Sequence, residues 1–169
     1  DITPDPVFAL NQNVGEKIPS EEDIRKRFIL PDKYVLIGMR SQTLSMPFLK
    51  NLNDVMRVEG KECVAFPIDG AMAFSHSFKY AISLPLSPLD WYALIKYSAG
   101  YIGSNMHPIV SSLANAVPCY SLDNWGSIDF WGKKENNGSS KVLDILKQYG
   151  LENNRVQIEK DVCNVTVDE

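Results

Sequence analysis

The side chains able to do chemistry gather between Ser104 and Trp125, with one outlying arginine. His107 follows the small polar turn Gly103-Ser-Asn105-Met106 and is followed by Pro108. An imidazole at such a turn can move a proton or hold an anion near neutral pH. Ser104 and Asn105 can donate or accept hydrogen bonds, and Gly103 lets the backbone approach a ligand closely. Asp123, Asn124 and Trp125 form a second polar group downstream. Arg40 follows directly on an apolar run. A guanidinium binds carboxylate or phosphate through two parallel hydrogen bonds, so Arg40 is a candidate for an anionic ligand. Turn and cap roles suffice for Asp69 and Ser87, and His76, without supporting neighbours, reads as an exposed loop residue.

The elements around this stretch decide whether these groups can meet. Tyr101-Ile102 reads as the middle of a short strand running from Gly100 to Ser104. Ile109, Val110, Leu113 and Ala114 recur at helical spacing, and Pro108 suits a first helical position, where a missing N–H has no partner anyway. Asn115-Ala-Val-Pro118 ends that helix, and Cys119 to Leu122 reads as the next strand. His107 is therefore expected where a strand hands over to a helix N-terminus, with free N–H groups and the positive end of the helix dipole.

The stretch from Tyr101 to Gly126 resembles the C-terminal signature of the polysaccharide pyruvyl transferases. That family shows a small-residue turn, then Arg-Leu-His, a short helix ending in a small residue-Val-Pro, and a strand followed by a polar loop. Here Asn105-Met106-His107 stands for Arg-Leu-His: the histidine and the helix leading to Pro118 match, and the arginine is replaced by Asn105. The opening Asp5-Pro-Val-Phe-Ala-Leu10 resembles the segment that precedes the C-terminal half of family members. The resemblance implies one Rossmann-like half of a two-domain, glycosyltransferase-like (GT-B) fold, with an N-terminal half missing from this chain. It implies pyruvyl transfer from phosphoenolpyruvate to a sugar, or a lipid-linked oligosaccharide, of a cell-surface polysaccharide. The product is a ketal. The implied roles are catalysis for His107, donor binding for Arg40, Ser104, Asn105 and Met106, and acceptor or cleft contacts for Asp123, Asn124 and Trp125. The implied location is the cytoplasm, with the inner membrane surface as the place of action. No cofactor or metal is required by this chemistry.

The rest of the chain reads as alternating strands and helices. Residues 1–19 read as an extended lead-in, with Pro6 to Leu10 tied to the body. Residues 21–28 form a short helix behind Ser20, in a capping-box-like start. Lys33 to Met39 is a nearly continuous apolar run, as in a strand buried on both faces. A helix opens at Pro47 and stops at Gly60. Cys63 to Ile68 and Tyr80 to Leu84 are the next strands, with residues 71–78 read as loop or short helix. Ser87-Pro-Leu-Asp90 starts a helix whose face is Leu89, Tyr92, Ile95 and Ala99. After a polar, aromatic loop, Ser140 caps a helix with Val142, Leu143, Leu146 and Tyr149 inward. The tail 151–169 is weakly patterned, with an edge strand at Val156 to Ile158. About five such alternations mean an α/β domain, a parallel sheet with helices on both faces, spanning residues 1–169 as a single Rossmann-like unit.

Composition sets the bounds. The 169 residues carry a net charge of −4, with 44% hydrophobic and 22% charged residues, which is ordinary globular usage. The longest basic run is Arg25-Lys26-Arg27, which argues against a nucleic-acid partner. No apolar run approaches the ~18 residues of a membrane span. Cys63, Cys119 and Cys163 are widely spaced and odd in number, so neither a zinc site nor a disulfide framework is indicated, and a reducing compartment fits best. Two other readings compete. A nucleotide-sugar glycosyltransferase or epimerase half-domain shares the fold, but residues 108–117 hold no acid for ribose hydroxyls. A non-catalytic assembly module accommodates Asn105. A flavodoxin-like cofactor binder is a fourth option, although no Gly-x-Gly-x-x-Gly or Gly-Lys-Ser/Thr occurs.

Overall fold

The computed structural model describes residues 5–39, 46–68, 77–123 and 140–158. Six strands form one sheet: β1 (Tyr34–Gly38), β2 (Glu62–Ala65), β3 (Tyr80–Ala81), β4 (Gly100–Gly103), β5 (Cys119–Asp123) and β6 (Arg155–Gln157). Their spatial order is β3-β2-β1-β4-β5-β6, and every pairing is parallel. The order reverses between β1 and β4. At such a switch point the connections from neighbouring strands leave to opposite faces and open a crevice at the carboxyl edge.

Alternation along the strands divides the core into two layers. Tyr34 and Leu36 of β1, Val64 of β2 and Tyr101 of β4 point to one side. There they meet α2 (Glu21–Phe28), α4 (Pro88–Lys96), α5 (Met106–Ala114) and α6 (Lys141–Gln148) through Ile24, Leu94, Ile109 and Leu146. Val35, Ile37 and Cys63 point to the other side, against Leu49 and Leu52 of α3 (Met46–Val58). All five β1 residues are buried, as expected of a strand covered on both faces. Cys63 and Cys119 are buried free thiols; burial pushes Cys63 up to about 12 and Cys119 to about 11.

Helix starts follow local chemistry. Ser20 caps α2 by accepting from the Asp23 N–H at 3.2 Å, and Ser87 caps α4 by accepting from the Asp90 N–H at 3.1 Å, with Pro88 at the first position. Ser140 accepts from the Leu143 N–H at the head of α6. Each side-chain oxygen satisfies one of the orphan N–H groups of a first turn.

Several expectations need correction. The lead-in is helical rather than extended: a 3-10 turn (Pro6–Ala9), α1 (Leu10–Val14) and a second 3-10 turn (Gly15–Lys17). Asp5 caps the first turn by accepting from the Val7 N–H, and Val7 and Leu10 pack on the core. The segment lies against the α4–α5 layer, where Asn11 donates to Asn115 Oδ1 at 3.0 Å and accepts from Lys96 Nζ at 2.9 Å. Helix α5 begins at Met106, two residues before Pro108, so Pro108 is its third residue; the N–H it lacks is still one that no intrahelical carbonyl could accept. Tyr149 does not face inward: it is 48% exposed and stacks on Phe8 at 5.9 Å. The strand expected over Tyr80 to Leu84 pairs only at Tyr80–Ala81, because Pro85 follows closely and offers no N–H to a ladder. Residues 71–76 of the ambiguous segment lie outside the described residues.

Candidate functional site

Strands β1 and β4 end side by side, with Gly38 in register with Gly103. The Ser104 N–H donates to the Gly38 carbonyl at 3.0 Å, so the turn after β4 is tied to the end of β1. Ser104 is 1% exposed. Asn105 is the N-cap of α5 in extended conformation, and its side chain makes no cap bond. Met106 is half-buried against the core. His107, the second residue of α5, is exposed. The first turn of α5 contains no acid. Its dipole and leading N–H groups therefore favour an anion beside Asn105, Met106 and His107, with Pro108 contributing no donor. Burial of Pro108, Ile109, Val110, Ser111 and Ser112 holds this helix in place.

The structure thus brings together Ser104, Asn105, Met106 and His107 at the switch point. Arg40, Asn124 and Trp125 lie outside the described residues, as do Asp69 and His76. The shared cleft expected for Arg40 and His107 is therefore described only as far as Met39, which is fully buried at the same sheet edge.

Asp123, expected among the acceptor or cleft contacts, is buried and paired within the fold. It ends β5 with no exposure, and its carboxylate accepts two hydrogen bonds from Arg155, at 3.0 Å from Nε and 2.7 Å from Nη2. Ser121 Oγ donates to it at 2.7 Å. A carboxylate so engaged is a structural tie between β5 and β6. Arg155 escaped sequence reading because it lies in the weakly patterned tail. The available signal was an arginine opening a three-residue strand beside a strand that ends in an acid.

The sequence placed Tyr101 in the middle of a strand and pointed to no role for its hydroxyl. Its ring is fully buried, yet its hydroxyl reaches the switch point and donates to the Gly38 carbonyl at 3.1 Å. A shallow cavity of about 230 Å³ lies at the opposite edge, among Val35, Gly100, Pro118 and Asn154, away from His107. Among the described residues no cluster of His, Cys, Asp and Glu could hold a metal ion. No helix there is long and apolar enough to cross a membrane.

The family model for polysaccharide pyruvyl transferase matches residues 2–126, more than half of the chain and all of the turn just described. The chain belongs to the polysaccharide pyruvyl transferase family. This is a transferase family, and in this member Asn105 stands in the Arg-Leu-His position noted above. No curated protein matches the chain. Among solved structures it is similar to the glycosyltransferase SnogD from Streptomyces nogalater, at 14% identity and a TM-score of 0.44, covering 99% of this chain and 36% of that one. It is also similar to a protein assigned as a UDP-N-acetylglucosamine 2-epimerase from Listeria monocytogenes, at 16% identity and a TM-score of 0.44, covering 88% of this chain and 44% of that one. The chain thus spans less than half the length of either.

Proposed function

We propose that this pyruvyl transferase family chain supplies the donor half of a pyruvyl transfer site, with phosphoenolpyruvate held at the β4–α5 turn. The observation that carries the reading is the exposed His107 in the first turn of α5, beside the β1–β4 switch point. Phosphoenolpyruvate carries a phosphate and a carboxylate. The N-terminal N–H groups of α5 suit one of them, and Arg40 suits the other.

The chemistry follows from the donor. Protonating its methylene carbon turns the carbon that bears the phosphate ester oxygen into a cation-like centre. One sugar hydroxyl attacks that carbon and loses its proton, and the C–O bond to phosphate breaks. A second hydroxyl of the same sugar then attacks the same carbon and gives up its proton to the departing phosphate, which completes the ketal and releases inorganic phosphate. His107 serves either as the general acid for the first step or as the group that holds the donor carboxylate. The acceptor is a sugar or lipid-linked oligosaccharide, presented at the inner membrane surface by a second half-domain; Asn124 and Trp125 are its proposed contacts here. No cofactor is part of this proposal.

Asn105 lacks the charge of the family arginine, so donor affinity should be weak. Calorimetry of this chain with phosphoenolpyruvate and, separately, uridine diphosphate tests the reading. The expected result is weak binding of phosphoenolpyruvate that His107→Ala abolishes and Asn105→Arg strengthens. Tight binding of uridine diphosphate with no response to phosphoenolpyruvate would overturn it.

A further inference from the structure

Two glycines face each other where β1 and β4 end, and the Tyr101 side chain reaches into the space beside both, sharing that at Gly38 with Ile68. A Cβ on Gly103 would overlap the Gly38 carbonyl oxygen and the Tyr101 hydroxyl, and would sit 2.6 Å from Tyr101 Cζ. A Cβ on Gly38 would sit 2.7 Å from the same hydroxyl and closer still to Ile68 Cδ1. Real Cβ contacts do not come so close, so the glycine pair is the room in which the Tyr101 phenol lies. Tyr101 lies two residues before Gly103 and so points to the same face of β4. Its ring meets Phe66 edge-on at 6.4 Å, and its hydroxyl runs up to the carboxyl edge. There the Gly38 carbonyl accepts two hydrogen bonds, from Tyr101 Oη at 3.1 Å and from the Ser104 N–H at 3.0 Å.

We infer that Tyr101 is a positioning residue for the anion-binding turn: its hydroxyl fixes the Gly38 carbonyl, and that carbonyl holds the amide from which Ser104–His107 are hung. The inference rests on reading that turn as the donor site. The phenol has no exposure and acts through the backbone. Its function is to aim the α5 N-terminus and His107 at one point, because small errors of placement cost much of the benefit of a pre-arranged site.

Tyr101→Phe removes the hydroxyl and keeps the ring. Amide hydrogen exchange by NMR on the full chain is the first readout. Exchange at Ser104, whose N–H is bonded to the Gly38 carbonyl, is expected to quicken about fivefold, the worth of one neutral hydrogen bond, with Leu122 and Asp123 unchanged. Gly103→Ala sets a methyl between the hydroxyl and the Gly38 carbonyl and should give the same local pattern, so the test survives if Tyr101→Phe does not fold. Uniform quickening across all strands, or no change at Ser104, would overturn the positioning role. The second readout is the dissociation constant for phosphoenolpyruvate, expected to rise about fivefold in Tyr101→Phe. A local loosening with an unchanged constant would overturn the link to the donor. Failure of wild-type protein to bind phosphoenolpyruvate would overturn the donor reading instead, and the exchange data would still decide whether Tyr101 sets the turn.

Discussion

Two polar regions lie on the carboxyl edge of the same sheet, and they are built in opposite ways. At the end of β5, Asp123 forms a bidentate ion pair with Arg155 from the start of β6, with side-chain exposures of 0% and 5%. At the ends of β1 and β4 stand two glycines, a hydrogen-bonded backbone and an exposed histidine. The first region commits its charges to each other. The second keeps its polar groups near solvent and spends its hydrogen bonds on backbone placement. A polar residue at a strand's carboxyl end is thus a candidate by topology, and only its partners decide between a tie and a site.

The largest test of this contrast is Arg155→Ala. It removes the guanidinium that faces the buried Asp123 carboxylate, and chemical denaturation should show a loss of about 3–5 kcal/mol. Replacing both members, Asp123→Leu with Arg155→Met, should restore most of that loss. An Arg155→Ala protein as stable as wild type would erase the distinction between the two regions.

Next in size is Gly103→Ala. The added methyl has no room between the Gly38 carbonyl and Tyr101, and overpacking of this kind costs about 1–3 kcal/mol. Thermal unfolding checks it, and a neutral result would mean that the switch point has slack.

Smaller still is a pair of changes on α5, the helix that carries His107. Ser111 Oγ is buried and finds no hydrogen-bond partner among the described residues, whereas Ser112 Oγ donates to the Pro108 carbonyl at 2.8 Å. Ser111→Ala should stabilise the chain by about 1 kcal/mol, and Ser112→Ala should destabilise it by a similar amount. Equal effects in denaturant titrations would contradict the difference drawn from their partners.

How much of this was legible in the sequence follows from the range of each interaction. Helix caps and apolar periodicity are local, so α2, α4 and α6 were readable from Ser20, Ser87 and Ser140 and the residues just after them. The two-sided burial of β1 was readable from an unbroken apolar run. The turn Ser104–His107 was legible as a strand-to-helix handover because a strand, a small-residue turn and a helix follow one another there. The Asp123–Arg155 pair was not, because it joins residues 32 apart in the chain and a lone arginine in a polar tail reads as surface. The Tyr101 hydroxyl bond spans 63 positions, and a tyrosine in a strand reads as core. The lead-in was misread because Pro4, Pro6, Asn11 and Asn13 suppress helical expectation. Docking on α5 and the Asp5 cap outweigh that local preference.

The central claim is that anion recognition belongs to the β4–α5 turn and not to the β5–β6 edge. Titrating the isotopically labelled chain with phosphoenolpyruvate and following its backbone amide resonances tests it directly. The account predicts progressive shifts at Ser104, Asn105, Met106 and His107, silence at Asp123 and Arg155, and loss of the response in His107→Ala, whose stability should stay within about 0.5 kcal/mol of wild type because the side chain is exposed. Shifts centred on Asp123 and Arg155, or no shift at the turn, would contradict it.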